Sequence, residues 1–231
     1  MKHYKVIFFD LDHTLWDYKK NSTETLTELF YEYKLSDRPT LELSTFLDTF
    51  EKVNAKMWSN FNKGHIDREV IRNQRFKKIL KAFNIRHDIM ARKMSEDYIL
   101  RCPGKTHLLP HAKSMLEYLK PRYDLYVLTN GFDDVQSIKM ATAELDIFFK
   151  GVITSESSGH RKPSSEIFNY SLDLARAKPG EAIMIGDNLN ADMTGAKNAN
   201  IDHIYFNPAR LTHRQVVTYE INCLSQLSNI L

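Results

Sequence analysis

The sequence has 231 residues, of which 42% are hydrophobic and 26% are charged, so the chain can bury a sizeable core and is not of the disordered class. Its formal net charge of +3 is small and its charged residues are interspersed, which gives no support to a nucleic acid polymer as partner. No apolar run approaches the roughly 20 residues that span a bilayer, and Cys102 and Cys223 lie outside any metal-binding spacing. We therefore expect a reduced cytoplasmic protein with no membrane partner, either a monomer or a homodimer.

The chain begins with a short apolar segment that runs directly into acidic residues. Residues 5–9 contain the run Val-Ile-Phe-Phe, which is typical of a strand buried on both faces of a parallel sheet. Asp10 and Asp12 follow at once. Acidic residues also form turns and cap helices, but the end of a parallel strand is where such a sheet presents its functional groups.

A helical period replaces the strand pattern after residue 15. Apolar residues recur at i, i+3, i+4 and i+7, as on one face of an amphipathic helix, with an interruption at Gly64. Asp67 is the expected N-cap of a third helix, and Pro103-Gly104 ends a fourth. The sequence therefore predicts an all-helical segment at residues 16–104.

From residue 105 onward, helix and strand patterns alternate as they do in βα units with a parallel sheet. The expected strands are residues 125–128, 151–153, 182–185 and 203–206. The expected helices lie near residues 133–143, 165–177 and 192–199. Together with the first strand, these segments predict an α/β fold with a parallel sheet that the helical segment interrupts.

Polar clusters follow three of the expected strands. They comprise Asp10 and Asp12, Thr129-Asn130-Gly131, and Gly186-Asp187-Asn188 with Asp192. Because the carboxyl ends of parallel strands meet at one edge of a sheet, we expect these residues to converge. Several carboxylates in one crevice repel each other unless a cation lies among them. Oxygen ligands with room for water suit Mg²⁺, whereas the chain offers no set of His and Cys residues spaced for zinc.

A basic pair, Arg161-Lys162, precedes the helix expected near residue 165, where the helix dipole mildly disfavours positive charge. Thr129 and Asn130 can donate hydrogen bonds to an anion, and Gly131 allows close approach of the backbone. Alone, Thr-Asn-Gly is also typical of a turn. Combined with a lysine, a metal ion and carboxylates, it describes a phosphoryl site.

Four motifs, in this order and spacing, resemble those of the haloacid dehalogenase superfamily of phosphohydrolases. They are Asp10-Leu-Asp12-His-Thr14, Thr129-Asn130, Lys162-Pro163 and Gly186-Asp187-Asn188-Leu-Asn-Ala-Asp192. The resemblance implies a Rossmann-like parallel sheet core, with helices on both faces, formed by residues 1–15 and 105–231. It also implies that residues 16–104 are a helical cap domain that closes over the site.

The resemblance further implies a two-step reaction on a small phosphorylated substrate. Asp10 would attack phosphorus to form an aspartyl-phosphate that water then hydrolyses, and Asp12 would serve as general acid and then as general base. Mg²⁺ would be held by Asp10, the Asp12 backbone carbonyl and Asp187, with Asp192 in support. The phosphoryl oxygens would be bound by Thr129, Asn130 and Lys162.

Within this superfamily the motifs leave several functions open. Dehalogenases of similar sequence generally lack the second aspartate, because a halide leaves without a proton, so Asp12 favours a phosphatase. A phosphomutase retains both aspartates and stays an alternative, as does a phosphatase for sugar phosphates or small phosphorylated acids. A catalytically silent binding protein is a further alternative, although every motif residue is present.

Finer features resemble the branch of 5′-nucleotidases that act on nucleoside monophosphates. These features are the segment DLDHTLWDY at residues 10–18, Asn21 shortly after it, and Asn207-Pro208 after the last expected strand. Within the segment, His13 replaces the glycine that is commonest in the wider superfamily. We therefore expect a Mg²⁺-dependent nucleoside 5′-monophosphate phosphatase.

Three side chains are candidates for substrate specificity. Trp16 and Tyr18 either stack on a nucleobase or pack at the junction with the helical segment. Arg72 lies almost on the apolar stripe of the third expected helix. Its guanidinium either extends to the edge of that stripe or contacts the substrate.

Overall fold

The computed structural model describes residues 3–231 and divides into two compact units. The sheet unit comprises Met1–Tyr18 and Thr106–Leu231, and the helical unit comprises Lys19–Lys105. The sequence pattern predicts the two boundaries between these units three residues and one residue earlier in the chain. None of the helices described is both long enough and apolar enough to cross a lipid bilayer.

The described part of the sheet unit contains a parallel sheet of six strands. The strands are β1 (Val6–Phe9), β2 (Asp124–Thr129), β3 (Gly151–Thr154), β4 (Ala182–Gly186), β5 (Asp202–Phe206) and β6 (Tyr219–Ile221). They are arranged in the order β3-β2-β1-β4-β5-β6, and every neighbouring pair is parallel. The strands that follow β1 are added first on one side of it, as β2 and β3, and then on the other side, as β4, β5 and β6. This change of side creates a crevice at the carboxyl ends of β1, β2 and β4.

The first five strands agree with the predicted ones to within one residue at each end. β6 is not predicted from the sequence, because the short edge segment Tyr-Glu-Ile has neither an apolar run nor a long alternation of apolar and polar residues. Every residue of β1 and of β4 is buried, as expected of central strands covered on both faces.

The helical unit contains four long helices. They are α1 (Tyr18–Glu32), which starts at the junction, α2 (Leu43–Asn62), α3 (Arg68–Ala82) and α4 (Asp88–Arg101). The Asp67 side chain accepts a hydrogen bond from the Val70 backbone N–H at 2.9 Å and caps α3 as predicted. Gly64 follows the end of α2 with φ of 73°, a conformation that glycine adopts without steric penalty.

An arginine lies within the aromatic core of the helical unit. Arg75 is only 5% exposed, and its guanidinium carbon lies 4.6 Å from the Tyr98 ring centroid and 5.4 Å from that of Phe50. It donates a hydrogen bond to Oδ1 of Asn54 at 2.9 Å. Cation–π contacts of this kind offset part of the desolvation that burial of a guanidinium imposes.

The remaining helices cover both faces of the sheet. They are α5 (Ala112–Leu119), α6 (Asp133–Thr142), α7 (Ser155–Ser158), α8 (Ser165–Ala175) and α9 (Gly195–Asn198), with a π-helical turn at Leu189–Thr194. Phe8 of β1 and Met184 of β4 share one core cluster with Phe168 of α8 and Ala196 of α9. Since side chains alternate along a strand, the intervening residues of β1 and β4 face the opposite layer.

Gly195→Ala is expected to lower the free energy of unfolding of the sheet unit by about 1–3 kcal/mol. An added Cβ would lie 2.3 Å from Cε2 of the buried Phe168 ring and 3.1 Å from the Pro163 Cα. Urea unfolding can be followed through Trp16 in a Trp58→Phe background, because the two tryptophans lie in different units.

Gly180→Ala is the matched control, since no heavy atom lies within 4 Å of a Cβ added at Gly180. Both variants introduce the same methyl group, and only the alanine at position 195 meets a packed ring. Equal unfolding midpoints for the two variants would contradict this description of the α8–α9 packing.

Candidate active site

Carboxylates from two neighbouring strands meet at the carboxyl edge of the sheet. The backbone N–H of Asp10 donates to the Ile185 carbonyl at 2.8 Å, which extends the β1–β4 ladder by one residue. Asp187 follows β4 directly, and Asp192 lies on the π-helical turn. One carboxylate oxygen from each of these three residues lies within 4.8 Å of the others. The convergence expected from the motifs is therefore present.

The π-helical turn directs Asp192 inward. Asn188 caps the turn by accepting hydrogen bonds from two backbone N–H groups at 2.9 and 3.0 Å. The Asn188 backbone N–H in turn donates to Oδ2 of Asp192 at 3.0 Å, and Asp192 is 1% exposed. A Cβ added at Gly186 would lie 2.2 Å from that Oδ2. Only glycine leaves room at the end of β4 for this carboxylate.

A buried lysine holds two of the three carboxylates. The Lys162 Nζ lies 2.6 Å from Oδ1 of Asp10 and 2.6 Å from Oδ1 of Asp192, and it donates to the Leu128 carbonyl at 2.7 Å. Its side chain is 2% exposed. An ammonium in this position balances part of a negative charge that burial would otherwise make unfavourable.

Asn130 fixes the backbone at Lys162. Its side-chain Oδ1 accepts from the Lys162 N–H at 2.8 Å, and its Nδ2 donates to the Lys162 carbonyl at 2.9 Å. The Thr129 hydroxyl oxygen accepts from the Gly131 N–H at 3.0 Å. The Thr-Asn-Gly segment thus positions the lysine of the next motif, in addition to the phosphoryl contacts that the sequence resemblance implies.

The charges in this cluster do not balance. Burial raises the pKa of Asp10 to about 7, and repulsion from Asp192 adds to that rise while Lys162 opposes it. Burial, followed by repulsion from Asp10 and Asp192, raises the pKa of Asp187 well above its ordinary value. Three carboxylates face one ammonium, so the cluster has the excess negative charge and the oxygen donors that fit a hard divalent cation such as Mg²⁺.

Asp12 lies in a different environment from Asp10. The Lys139 Nζ lies 2.6 Å and 2.8 Å from the two Asp12 carboxylate oxygens, and the Gln136 Nε2 donates to Oδ2 at 3.0 Å. Burial alone would raise the pKa of Asp12, but Lys139 and the Gln136 hydrogen bond outweigh it and lower that pKa. The pKa values of the two aspartates of the first motif are therefore shifted in opposite directions.

Gln136 and Lys139 are site residues that the sequence analysis does not identify. They lie three residues apart on α6 and are 0% and 4% exposed. Polar residues at this spacing normally belong to a solvated helix face, so the sequence carried little signal. In the structure, a Cβ at Gly131 would lie 1.9 Å from the Gln136 Nε2. Gly131 makes room for that amide.

The specificity candidates lie in different surroundings. Trp16 is completely buried, and the Lys139 Nζ lies 4.5 Å from the centroid of its ring. Trp16 therefore offers no exposed face to a nucleobase, and the packing alternative describes it. Tyr18 is half-buried, with its ring 4.8 Å from that of His13. Arg72 is half-buried on α3 in the helical unit, where Arg75 is the fully buried arginine.

The backbone conformation at His13 shows why glycine is common at this position in the superfamily. Its φ of 65° lies in the left-handed region, which glycine adopts most easily and which other residues enter at some strain. The position that is commonly glycine in the superfamily is thus a left-handed turn directly after Asp12. In this chain histidine adopts it.

The sheet order and the cluster of carboxylates and lysine define an α/β protein with a candidate active site at the strand ends. Residues 4–200 match the haloacid dehalogenase-like hydrolase family, and the chain belongs to this family. The match includes the whole helical unit and the sheet unit as far as residue 200.

The relatives with assigned substrates include two phosphatases. The chain is 31% identical to the pyrimidine 5′-nucleotidase PynA of Streptococcus pneumoniae, over 99% of this chain and 95% of that protein. It is 28% identical to the glyceraldehyde 3-phosphate phosphatase of Pyrococcus furiosus, over 100% and 94%. The magnesium-bound crystal structure of the HAD-hydrolase YfnB from Bacillus subtilis superposes with a TM-score of 0.89, at 28% identity over 99% of each chain. The protein is therefore a phosphatase of the haloacid dehalogenase superfamily.

Asp187→Asn is expected to stabilise the metal-free protein at pH 8 by about 0.5–2 kcal/mol, because it removes one of three repelling carboxylates. The raised pKa of Asp10, about 7 against 3.8, means that the folded state binds more protons than the unfolded state between these values. The stability of the wild type therefore falls as pH rises through this range. The gain from the substitution should be smaller at pH 5, where protonation already relieves the repulsion.

Thermal unfolding with a chelator at pH 5 and pH 8 measures this effect. Asp173→Asn is the control, because it removes an exposed carboxylate of α8 that lies outside the cluster of Asp10, Asp187 and Asp192. An Asp187→Asn protein no more stable than wild type at pH 8 would show that repulsion does not dominate the cluster.

Proposed function

We propose that the protein is a Mg²⁺-dependent phosphomonoesterase that forms an aspartyl-phosphate on Asp10, with nucleoside 5′-monophosphates as its substrates. The observation that carries this proposal is that the two aspartates of the first motif have different charged partners. Asp10 lies among carboxylates beside Lys162, whereas Asp12 is held by Lys139 and Gln136. The separate cationic partners allow the two aspartates to take different roles, one as nucleophile and one in proton transfer, and Mg²⁺ beside Asp10 would offset the repulsion that raises the pKa of that carboxyl.

In the proposed first step, an Asp10 carboxylate oxygen attacks phosphorus and the phosphorus–oxygen bond of the ester breaks. The leaving oxygen takes its electron pair and receives a proton from Asp12. In the second step, Asp12 accepts a proton from water, whose oxygen bonds to phosphorus and breaks the bond to Asp10. Inorganic phosphate leaves, and both aspartates return to their starting states.

Asp10, the Asp12 backbone carbonyl, Asp187 and Asp192 would hold the Mg²⁺. When bound, the ion would supply positive charge that keeps Asp10 ionised near neutral pH and that withdraws charge from the phosphoryl group. Thr129, Asn130 and Lys162 would bind phosphoryl oxygens, and Asn130 also fixes the Lys162 backbone.

The nucleotide assignment is supported by similarity to PynA over nearly the whole chain and by the nucleotidase-like segment at residues 10–18. Similarity to a glyceraldehyde 3-phosphate phosphatase supports the alternative, a phosphatase for small phosphorylated sugars or acids. Both substrate classes are phosphomonoesters and require the same reaction at Asp10 and Asp12. A substrate panel decides between them.

Phosphate release in the presence of Mg²⁺ is expected to show a higher kcat/KM for nucleoside 5′-monophosphates than for small sugar or acid phosphates. The panel compares pyrimidine and purine 5′-monophosphates with glyceraldehyde 3-phosphate, hexose phosphates and short phosphorylated acids. A preference for the second group would retain the chemistry and replace the nucleotide assignment with the alternative.

Asp10→Asn is expected to reduce phosphate release by roughly 10⁴-fold or more, because the amide is a poor nucleophile and removes a metal ligand. Chelation of divalent cations should abolish the wild-type activity, and added Mg²⁺ should restore it. The fluorescence and thermal unfolding of the Asp10→Asn protein verify that it is folded. Substantial residual turnover in a folded Asp10→Asn protein would rule out Asp10 as the nucleophile.

A further inference from the structure

The inward face of α6 carries two polar groups whose burial demands an explanation. Lys139 is 4% exposed and Gln136 is 0% exposed, although both lie on a helix of a small α/β unit. A buried ammonium and a buried amide are unfavourable unless they are paired or hydrogen-bonded. Their partners therefore indicate what these residues do.

Both residues contact Asp12. The Lys139 Nζ reaches Oδ1 at 2.6 Å and Oδ2 at 2.8 Å, so it contacts both oxygens of the carboxylate. The Gln136 Nε2 donates to Oδ2 at 3.0 Å and also to the Thr129 hydroxyl at 2.9 Å. These contacts come from one helix and restrict rotation of the Asp12 carboxylate about its side-chain bonds.

The position of Lys139 is itself restricted. Its Nζ lies 4.5 Å from the centroid of the buried Trp16 ring, on which a cation is favourably placed. The segment from Leu11 to Trp16 folds back on itself, with the Trp16 N–H donating to the Leu11 carbonyl at 2.9 Å and the His13 N–H donating to the Trp16 carbonyl at 3.0 Å. The turn that carries Asp12 therefore also carries the ring that packs on Lys139.

We infer that Lys139 and Gln136 are positioning residues that orient the Asp12 carboxylate for its two proton transfers. This inference rests on the proposed function. A general acid works only when its proton lies within hydrogen-bond reach of the leaving oxygen, and small displacements of a catalytic group reduce rate steeply. Lys139 acts through Asp12, and Gln136 acts through Asp12 and the Thr129 hydroxyl.

A purely structural role for the pair predicts a different result. If Lys139 only neutralised a buried charge, its loss would lower stability or reduce all reaction steps alike. If it orients Asp12, its loss would reduce only those steps in which Asp12 transfers a proton. The nature of the leaving group separates these cases, because an aryl oxide leaves without protonation and a nucleoside alkoxide does not.

The test uses Lys139→Met in the full-length, Mg²⁺-loaded protein with two substrates. With p-nitrophenyl phosphate, kcat/KM should change less than about 3-fold because ester cleavage needs no proton, and the burst of p-nitrophenolate should be retained. The steady-state kcat should fall because hydrolysis of the aspartyl-phosphate still needs Asp12 as base. With a nucleoside 5′-monophosphate, kcat/KM should fall by about 10²-fold.

Two further variants make the result interpretable. Lys113→Met removes an exposed lysine of α5 that pairs with Glu144 and should leave both substrates unaffected. Gln136→Met retains the Lys139–Asp12 ion pair but also removes the hydrogen bond to the Thr129 hydroxyl, so kcat/KM should fall for both substrates and by about 10-fold more for the nucleotide than for the aryl ester. It tests the inference independently if Lys139→Met does not fold.

Equal losses of kcat/KM for both substrates in a folded variant would overturn the inference and leave the proposed function in place. A wild-type protein that cleaves neither ester would overturn the proposed function and, with it, the role inferred for this pair. If the wild type cleaves the aryl ester and sugar phosphates but not nucleotides, a sugar phosphate replaces the nucleotide in the comparison. The Lys139→Met variant is then expected to lose kcat/KM for the sugar phosphate and to retain it for the aryl ester.

Discussion

Negative charge at the carboxyl edge of a buried sheet is the constraint on which the rest of the site depends. An ionised carboxylate in such a place is unfavourable by several kcal/mol unless it has a partner. Lys162 supplies that partner to Asp10 and Asp192 at 2.6 Å each. Asn130 fixes the Lys162 backbone, and the π-helical turn directs Asp192 toward it. Residues far apart in sequence thus stabilise one another at a single point.

A second lysine separates the environments of the two aspartates in the first motif. Asp10 shares its cation with another carboxylate and lies near Asp187, so its pKa is raised. Asp12 has Lys139 to itself and a hydrogen bond from Gln136, so its pKa is lowered. Residues only two positions apart therefore differ in their affinity for protons. The two carboxylates thus have separate cationic partners, which a reaction with one nucleophile and one proton-transfer group requires, and a divalent cation would offset the raised pKa of Asp10.

Two glycines of the motifs leave room for a neighbouring side chain and do not serve to allow an unusual backbone conformation. At Gly131 and Gly186 a Cβ would overlap Gln136 and Asp192, respectively. Neither glycine is among those with positive φ. Each makes room for a functional side chain, and this requirement becomes visible only when the neighbouring residue is in place. The positive φ in this region belongs instead to His13.

The sequence by itself determined the first five strands of the sheet and the long helices, because apolar runs and helical periodicity depend on nearby residues, but not β6. It also indicated that Asp10, Thr129 and Asp187 would meet, because the ends of parallel strands share an edge, whereas the place of Lys162 in the site followed from the resemblance to the superfamily. Only the tertiary structure decided that Lys139, 127 residues from Asp12, would bind it. A polar residue on a helix gives no sequence signal of pointing inward, and its orientation follows from the packing of α6 against the sheet unit.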